Sequence, residues 1–486
     1  MRDAEKILRG AVQTFSGQIA GQVFSLIRNL IVARVLVPED FGIAATFAIT
    51  LSALDMLSDL SFHKIIVQFR DGQSDTFQRL LQTLNVLRGV LLALLLFASA
   101  GWVARIFDIP EATGSFQLLA LAPLMRGLVH LDLYRFQRSL TFSGEVITTL
   151  LSQFVGLIVA VVLVWITRHF DAVLWAVLAQ AAVFVLCSHW FAVRPFRLGL
   201  DRTYLRETWD LSWPLMVNGM IIMLATQADR ILVGAELGLR ELAFYTVATL
   251  LTTTGGFLLT KMTATLGIPW MSSAQDNPAL FESRYELMGH IIGVVSVAAF
   301  VPLIFIGPDL IAFLFGTEYQ ISGALVGWLS LAACLRYMRA RMNSAAFAAG
   351  DAKNLMISNM VRIVGLLLAV VLVRQGGDAV AVAMAMAFGE AAGLVVSIWR
   401  LKATANLPRT SAMQTTCITL AALLAALSLM IAVPDLGLLA RLGLSALLPL
   451  IAVILSVLLS PALLRLTLEL PGMLMTALGL NKRTAP

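Results

Sequence analysis

Charged residues are scarce in this chain. They make up 13% of its 486 residues, whereas ordinary soluble domains carry about a quarter. Hydrophobic residues make up 59%, and the mean hydropathy is +0.86. A water-soluble fold cannot bury that much apolar surface, so the composition predicts an all-α integral membrane protein. The net charge of +6 comes from basic residues at the ends of apolar runs, which indicates membrane topology and not a nucleic-acid partner.

Patterns typical of catalysis and metal binding are also missing. Cys187, Cys334 and Cys417 lie inside apolar runs without CxxC spacing, which argues against a metal site or a disulfide framework. No nucleophile–base pair accompanies the five histidines, and no GxxxxGK[ST] loop is present to hold nucleotide phosphates. We therefore expect no catalytic residue, no metal and no resident cofactor. The sequence predicts a transporter and not an enzyme.

Apolar runs long enough to cross a bilayer recur along the whole chain. A spanning helix needs about 20 mostly apolar residues, and the sequence offers about fourteen such segments. Several carry polar or charged residues, which is typical of helices that face a protein interior. The predicted spans are residues 11–34, 41–62, 83–104, 116–136, 146–167, 172–193, 211–234, 242–266, 287–308, 322–344, 354–374, 379–399, 413–433 and 441–465.

The placement of lysine and arginine predicts the orientation. With fourteen spans, most of the 35 basic residues fall in segments on the same side as the N-terminus. Cytoplasmic loops carry this excess in membrane proteins. Both termini are therefore predicted to lie in the cytoplasm. A wrong span count would reverse the sides part-way along the chain and remove the bias.

The chain also repeats itself. VGLIVAVVLV at 155–164 matches VGLLLAVVLV at 364–373 at most positions, and the segment from Arg28 resembles the segment from Arg230. Both offsets map helices 1–6 onto helices 7–12, which predicts two lobes of the same orientation. The predicted domains are an N-terminal lobe at 1–200, a second lobe at 201–405 and a C-terminal helix pair at 406–486.

Helix 1 carries a polar stripe. Its members recur at helical spacing and so share one face of the helix. Amides and hydroxyls are costly against lipid, so this face is expected to line a cavity. The alternative is hydrogen bonding at a packed helix interface, where such residues are common. The stripe consists of Thr14, Gln18, Gln22, Ser25 and Asn29.

Basic residues inside the predicted spans point to the substrate. Arg28 lies in helix 1, Arg126 in helix 4 and Lys261 in helix 8. A charge at the bilayer centre costs several kcal/mol unless it faces water or a partner. The spans also hold Arg34, Arg230, Arg336 and Arg362. Because bases outnumber acids in the spans, a phosphate or pyrophosphate group is the predicted ligand. The alternative is that these side chains snorkel or form structural ion pairs.

Three acidic residues inside the spans are candidates for ion coupling. Asp55 and Asp59 lie four residues apart on helix 2, and Glu390 lies in helix 12. Carboxylates buried close together can hold a proton at neutral pH. Coupling to protons or sodium ions is therefore one interpretation of these residues, and structural pairing with the arginines is the other.

Two sequence segments resemble a known family. ARVLVPEDFG at 33–42, continuing to LSDLSF at 57–62, resembles the helix 1–2 junction of the polysaccharide flippases. These are the Wzx-type members of the multidrug/oligosaccharidyl-lipid/polysaccharide exporter superfamily. DRILVGAELG at 229–238, followed by AFYTVAT at 243–249, is similar to the family's helix 7–8 segment. The resemblance implies a V-shaped, two-lobed transporter that works by alternating access.

The resemblance also implies a cargo. It is an undecaprenyl-pyrophosphate-linked oligosaccharide, carried to the periplasmic leaflet of a bacterial inner membrane, with a polysaccharide polymerase and co-polymerase as candidate partners. In related lipid flippases, basic residues of helices 1, 2 and 8 engage the pyrophosphate. Arg28 and Lys261 fall in matching helices, whereas helix 2 offers Asp55 in place of a base.

Three other functions compete with this one. A lipid II flippase shares fourteen helices but is expected to supply a base from helix 2. A cation-coupled multidrug antiporter usually has twelve helices and an acidic cavity. A membrane glycan polymerase would need a large periplasmic loop, and the predicted outward loops are all short.

Overall fold

The computed structural model describes residues 2–351, 353–405, 409–433 and 436–459, and all regular secondary structure within these ranges is helical. Two short 3₁₀ helices, at Pro110–Ala112 and Phe136–Ser139, connect longer elements. The α-helices are α1 Arg2–Val35, α2 Pro38–Leu57, α3 Phe62–Gln68, α4 Asp75–Ile106, α5 Thr113–Leu119, α6 Leu121–Gly127, α7 Asp132–Arg135, α8 Ser143–Thr167, α9 Asp171–Trp190, α10 Arg202–Thr226, α11 Ala228–Glu236, α12 Leu239–Ser272, α13 Pro278–Phe315, α14 Gly323–Ala348, α15 Lys353–Arg374, α16 Ala379–Ala405, α17 Arg409–Ala432 and α18 Leu438–Leu459.

The helices confirm a multi-pass membrane protein. Within the described residues, nine helical segments are long and apolar enough to cross a membrane, and two bent helix pairs raise the number to eleven. Each of the fourteen predicted spans coincides with a helix or a bent helix pair. Two of these helices, α1 and α14, are not among those segments, and the apolar part of α17, Thr416–Ala432, is shorter than a full span. The count of fourteen crossings therefore stays a prediction.

The break between α2 and α3 follows from local chain chemistry. Helix α2 begins at Pro38, whose fixed φ suits the first helical turn. It ends after Leu57, and Ser61 adopts a left-handed conformation with φ 51°. The carboxylate of Asp59 accepts a hydrogen bond from the Ser61 backbone N–H at 2.8 Å. The left-handed residue and this hydrogen bond form the short turn that separates α2 from α3.

Helices α4 and α6 come unusually close because two glycines face each other. A Cβ atom at Gly89 would lie 2.7 Å from the Cα of Gly127 and 2.8 Å from the carbonyl oxygen of Pro123. Asn85 donates from Nδ2 to the carbonyls of Arg126 and Gly127, at 3.2 and 2.9 Å. Small residues and amide bonds of this kind hold membrane helices together. The crossing places Arg88 and Arg126, the neighbours of the two glycines, next to one another.

The chain divides into two compact units. Unit 1 comprises the described residues of Met1–Leu250 with Ile311–Gln320 and Val373–Val382. Unit 2 comprises the described residues of Leu251–Leu310, Ile321–Leu372 and Ala383–Pro486. This division follows packing and not sequence repetition. The three predicted domains therefore stay a prediction.

Each unit has its own apolar core. In unit 1 the core includes Phe47, Phe116 and Leu174, from α2, α5 and α9. In unit 2 it lies along α13 and α14 and includes Phe300 and Cys334. Helix α14 is buried over most of its length although it contains three arginines. Those arginines need polar or charged partners inside unit 2.

Candidate functional site

A polar cavity of about 690 Å³ lies within unit 1. Its walls come from α1, α2, α4, α6 and α9 and from the α2–α3 turn. The cavity is lined by Arg28, Ala48, Leu51, Ser52, Asp55, Met56, Asp59, Phe62, His63, Asn85, Arg88, Arg126, Val129, Leu131, Tyr134, Val177, Gln180, Ala181 and Phe184.

Arg126 and Asp55 form an ion pair across this cavity. Arg126 is held at the C-terminal end of α6 by the glycine crossing and by the amide of Asn85. Its side chain is 43% exposed and lines the cavity, so the guanidinium is accessible from within. A ligand entering the cavity can therefore reach it.

Arg88 approaches the same carboxylate from α4. Its Nη2 lies 3.7 Å from Oδ1 of Asp55. Its Nε donates a hydrogen bond to the hydroxyl of Ser58 at 3.1 Å. Two guanidinium groups thus share one carboxylate, so Asp55 balances only one of their two positive charges.

Arg28 has a neutral partner. Its Nη1 donates to Oε1 of Gln180 on α9 at 2.9 Å. It forms no ion pair with any residue that the structure describes. A guanidinium offers five donors, and a single amide oxygen uses one of them. Arg28 is therefore suited to bind an anion without breaking an ion pair.

The α2–α3 turn brings two further titratable groups to the cavity. Asp59 lines it while capping Ser61, and His63 lies just beyond, on the first turn of α3. The ring of His63 is 5.6 Å from that of Tyr134 on α7. These groups give the cavity acceptors and a titratable imidazole beside its guanidinium groups.

The balance of charge in the cavity is positive. Among the described residues that line it, three are arginines and two are aspartates. A cation inside a membrane protein is costly unless water, a partner or a ligand compensates it. Arginine forks bind phosphate and carboxylate oxygens in pairs of hydrogen bonds. The arrangement is therefore suited to an anionic group such as a phosphate.

The structure brings four of the predicted site residues together. Arg28, Arg126, Asp55 and Asp59 all line this cavity. Four predicted site residues belong to the polar stripe and are partly buried on α1: Gln18, Gln22, Ser25 and Asn29. The same helix contributes Arg28 to the cavity wall. Helix α1 packs against α8. Cavity lining by these four polar residues stays a prediction.

Lys261 and Glu390, the other two predicted site residues, belong to unit 2. Lys261 is partly buried on α12, and its substrate role stays a prediction. Glu390 is 1% exposed on α16 and accepts from Nε of Arg336 at 2.7 Å and from Nη2 of Arg362 at 2.5 Å. Arg339 lies 3.6 Å away. A carboxylate held by three arginines is suited to a structural role, and its coupling role stays a prediction.

Sequence reasoning missed three residues of the cavity, Arg88, His63 and Gln180. Arg88 is a base near the start of the apolar run 83–104, so the rule that singled out Arg28 and Arg126 would have found it. His63 follows the break in helix 2, and a break within a span is typical of binding sites in transporters. Gln180 has no such signal, because only the fold places it against Arg28.

Comparison with known proteins gives the following matches. A family model described as "Polysaccharide biosynthesis protein" matches residues 31–323, more than half of the chain. The amylovoran biosynthesis protein AmsL of Erwinia amylovora is 23% identical over 239 residues, which cover 48% of this chain. The chain spans 61% of the length of that relative.

Solved structures match over most of the chain. The lipid II flippase MurJ, in an inward closed conformation, aligns with a TM-score of 0.69 at 13% identity, covering 92% of this chain and 98% of that one. An inward-facing multidrug resistance transporter of the MATE family and MOP superfamily aligns with a TM-score of 0.67 at 14% identity, covering 79% and 96%. At these identities the matches show a shared fold.

Proposed function

The chain belongs to the polysaccharide biosynthesis protein family, and from that premise we propose that it is a flippase for a lipid-linked oligosaccharide. The cargo is an oligosaccharide joined to undecaprenyl through a pyrophosphate. The protein carries it from the cytoplasmic to the periplasmic leaflet of a bacterial inner membrane, by alternating access. The product serves assembly of an exopolysaccharide, a capsule or an O-antigen, where a polymerase and co-polymerase are the candidate partners.

The single observation that carries this proposal is the arginine-rich cavity inside a membrane protein. Pyrophosphate carries several negative charges and many acceptor oxygens, and Arg28, Arg88 and Arg126 offer planar donor groups around one space. Sugars carry no charge that would require such a site. The pyrophosphate linkage is the charged part of the proposed cargo, so the cavity is suited to receive that linkage.

Asp55 gives the cavity a resident counter-ion. Its carboxylate pairs with Arg126 and lies near Arg88. An entering pyrophosphate competes for the same guanidinium groups and offers them more acceptors. Displacement of Asp55 leaves that carboxylate without a partner, which favours its protonation. Proton uptake at Asp55 on loading is therefore the coupling step that we propose, with Asp59 as the neighbouring carboxylate.

Lipid II flipping is the second candidate, because MurJ shares the fold over nearly its whole length. Both cargoes carry a polyprenyl pyrophosphate, so the arginine cavity suits both. The family match favours polysaccharide assembly. A multidrug antiporter is less suitable, because an excess of arginine would repel cationic drugs.

The test is transport in a defined membrane. Purified protein is reconstituted into liposomes with a fluorescent undecaprenyl-pyrophosphate oligosaccharide, and a membrane-impermeant quencher reports movement between leaflets. We expect Arg28→Ala and Arg126→Ala to lower the flipping rate by roughly 100-fold, as the loss of about 3 kcal/mol of charged hydrogen bonding would do. Lipid II in parallel liposomes distinguishes the second candidate.

Arg105→Ala is the matched control. Arg105 lies in the last turn of α4, is exposed, and donates to the carbonyl of Gly101 in its own helix. This variant should flip the cargo at the wild-type rate. Wild-type rates for both cavity variants would remove the proposed function.

A further inference from the structure

An apolar groove of about 330 Å³ runs beside the arginine cavity in unit 1. Its walls are the α2–α3 turn, α4 and α10, and carbon atoms make up almost the whole surface. The groove is lined by Ser58, Leu60, Phe62, Leu84, Leu87, Arg88, Leu91, Leu92, Leu205, Thr208, Trp209, Ser212 and Met216.

The sequence builds this groove from two helix faces. On α4 the lining residues 84, 87, 88, 91 and 92 recur three and four residues apart, and so do residues 205, 208, 209, 212 and 216 on α10. On α10 the small residues Thr208 and Ser212 alternate with bulkier neighbours. The small side chains of Thr208 and Ser212 leave space on α10 opposite the leucines of α4.

Two residues belong to both spaces. Phe62 and Arg88 line the arginine cavity and the apolar groove alike. The guanidinium of Arg88 faces Ser58 and Asp55. Since the groove surface is almost all carbon, the methylenes of Arg88 are what it contributes there. A charged cavity and an apolar groove thus meet at one arginine.

From this continuity we propose that the groove binds the prenyl chain of the lipid whose pyrophosphate occupies the cavity. The proposal rests on the proposed function and names the site for the other half of the same ligand. Such a lipid has an anionic end that suits the arginine cavity and a long hydrocarbon chain that suits the adjoining groove. Arg88 would then contact the phosphate that bears the prenyl group.

The volume of the groove limits how much of the prenyl chain it can hold. A cavity of about 150 Å³ accepts benzene, with its six carbons. A groove of 330 Å³ therefore has room for roughly two five-carbon isoprenyl units by the same measure. The rest of the chain would stay in the bilayer. Such a groove fixes the first units next to the headgroup, and it adds packing contacts since lipid already solvates the tail.

The first experiment compares two probes on one variant. Binding of inorganic pyrophosphate and of geranylgeranyl pyrophosphate to the purified full chain is measured by calorimetry. Ser212→Trp fills the groove, and we expect it to weaken geranylgeranyl pyrophosphate binding about tenfold while inorganic pyrophosphate binds as before. Leu211→Trp places an indole at the exposed neighbouring position of α10. It should change the affinity for neither probe.

A second experiment needs no bulky substitution in a buried position. A benzophenone side chain replaces Leu91 in the groove or Phe97 on another face of α4, residues that are 57% and 55% exposed. Under ultraviolet light with geranylgeranyl pyrophosphate, we expect a lipid adduct at position 91 and little at position 97. This readout decides the matter if the Ser212→Trp protein fails to fold.

Two results overturn the groove assignment. One is a folded Ser212→Trp protein that binds geranylgeranyl pyrophosphate as tightly as the wild type. The other is equal labelling at positions 91 and 97, which would mean that any bilayer-facing surface takes the chain. In either case, the proposed function is unaffected if Arg28→Ala still flips the cargo more slowly than the wild type. Normal flipping in that variant would remove the function itself.

Discussion

At the residue scale, Asp55 governs how free the cavity arginines are. Its carboxylate pairs with Arg126 and lies 3.7 Å from Arg88, so it occupies donors that an anionic ligand would use. A resident carboxylate lowers the cost of keeping arginines in a membrane. It also competes with the substrate, and competition of this kind speeds release after transport.

Removing that competitor should tighten binding and slow turnover. We expect Asp55→Asn to bind inorganic pyrophosphate several-fold more tightly, because an amide is a weaker partner for guanidinium than a carboxylate. The flipping rate should fall, since the ligand leaves more slowly. Calorimetry and the liposome assay measure the two quantities.

Asp59→Asn is the control for Asp55→Asn. Asp59 lines the same cavity, but its carboxylate caps the Ser61 N–H. Asp59→Asn removes one negative charge without freeing Arg126, so we expect a smaller gain in pyrophosphate affinity than in Asp55→Asn. Weaker binding in Asp55→Asn would contradict this account and would mean that Asp55 positions the arginines.

At the element scale, the crossing of α4 and α6 depends on Gly89 and Gly127. A Cβ at Gly89 would meet backbone atoms at 2.7 and 2.8 Å, and backbone cannot yield as a side chain can. We expect Gly89→Ala to destabilise the folded protein by about 1–3 kcal/mol, as overpacking does. It should also weaken pyrophosphate binding, because Arg88 and Arg126 flank the crossing.

Gly101→Ala on the same helix tests whether the effect is local. A Cβ at Gly101 would meet a methyl group of Thr113 at 3.7 Å, an ordinary contact. Thermal unfolding in detergent should show a lower midpoint for Gly89→Ala and a normal or higher one for Gly101→Ala. Equal midpoints for the two variants would show that the crossing accommodates a Cβ atom at Gly89 without loss of stability.

The Glu390 cluster joins α14, α15 and α16 in unit 2. Arg339 and Arg362 are buried with this single carboxylate between them. Removal of one partner from a buried ion pair costs about 3–5 kcal/mol, because the remaining charges are left uncompensated. We therefore expect Glu390→Gln to lower the midpoint of thermal unfolding sharply, although the amide keeps the shape of the side chain.

Glu318→Gln, at an exposed position in the turn before α14, is the control and should unfold at the wild-type midpoint. A Glu390→Gln protein that unfolds normally but transports poorly would favour the coupling role predicted from the sequence. The two outcomes separate a structural carboxylate from a functional one.

Much of this architecture was predictable because hydropathy and helix period are local properties. The all-α membrane fold and the resemblance to polysaccharide flippases are confirmed at the level of fold and family, and the count of fourteen spans stays a prediction. Arg28, Arg126, Asp55 and Asp59 could be singled out, since charge in an apolar run is visible in sequence.

Their partners could not be predicted. The pairing of Arg126 with Asp55 depends on how closely α4 and α6 cross and on where α2 breaks. The contact between Arg28 and Gln180 joins residues from α1 and α9. The stripe on α1 shows the same limit, because its period fixes a shared face but not what that face meets.

At the scale of the whole molecule, the predicted count of fourteen crossings depends on α14. Helix α14 carries three arginines and is not among the apolar spans of the described residues, yet it is buried along most of its length. Glu390 pairs with two of these arginines, Arg336 and Arg339. Arg339 also donates to Ser358 and Asn359. A helix whose charges are neutralised by protein can span a bilayer, so we expect α14 to cross.

Reporter fusions on either side of α14 test this prediction. The positive-inside pattern with fourteen crossings places Gly316, before α14, in the periplasm and Gly350, after it, in the cytoplasm. Alkaline phosphatase fused after Gly316 should be active, and green fluorescent protein fused after Gly350 should fluoresce. A fusion to the end of the chain should also read as cytoplasmic, since α15 to α18 add an even number of crossings. If both bracketing positions read as one side, α14 does not cross, and the count of fourteen and the predicted side of the C-terminus are wrong together.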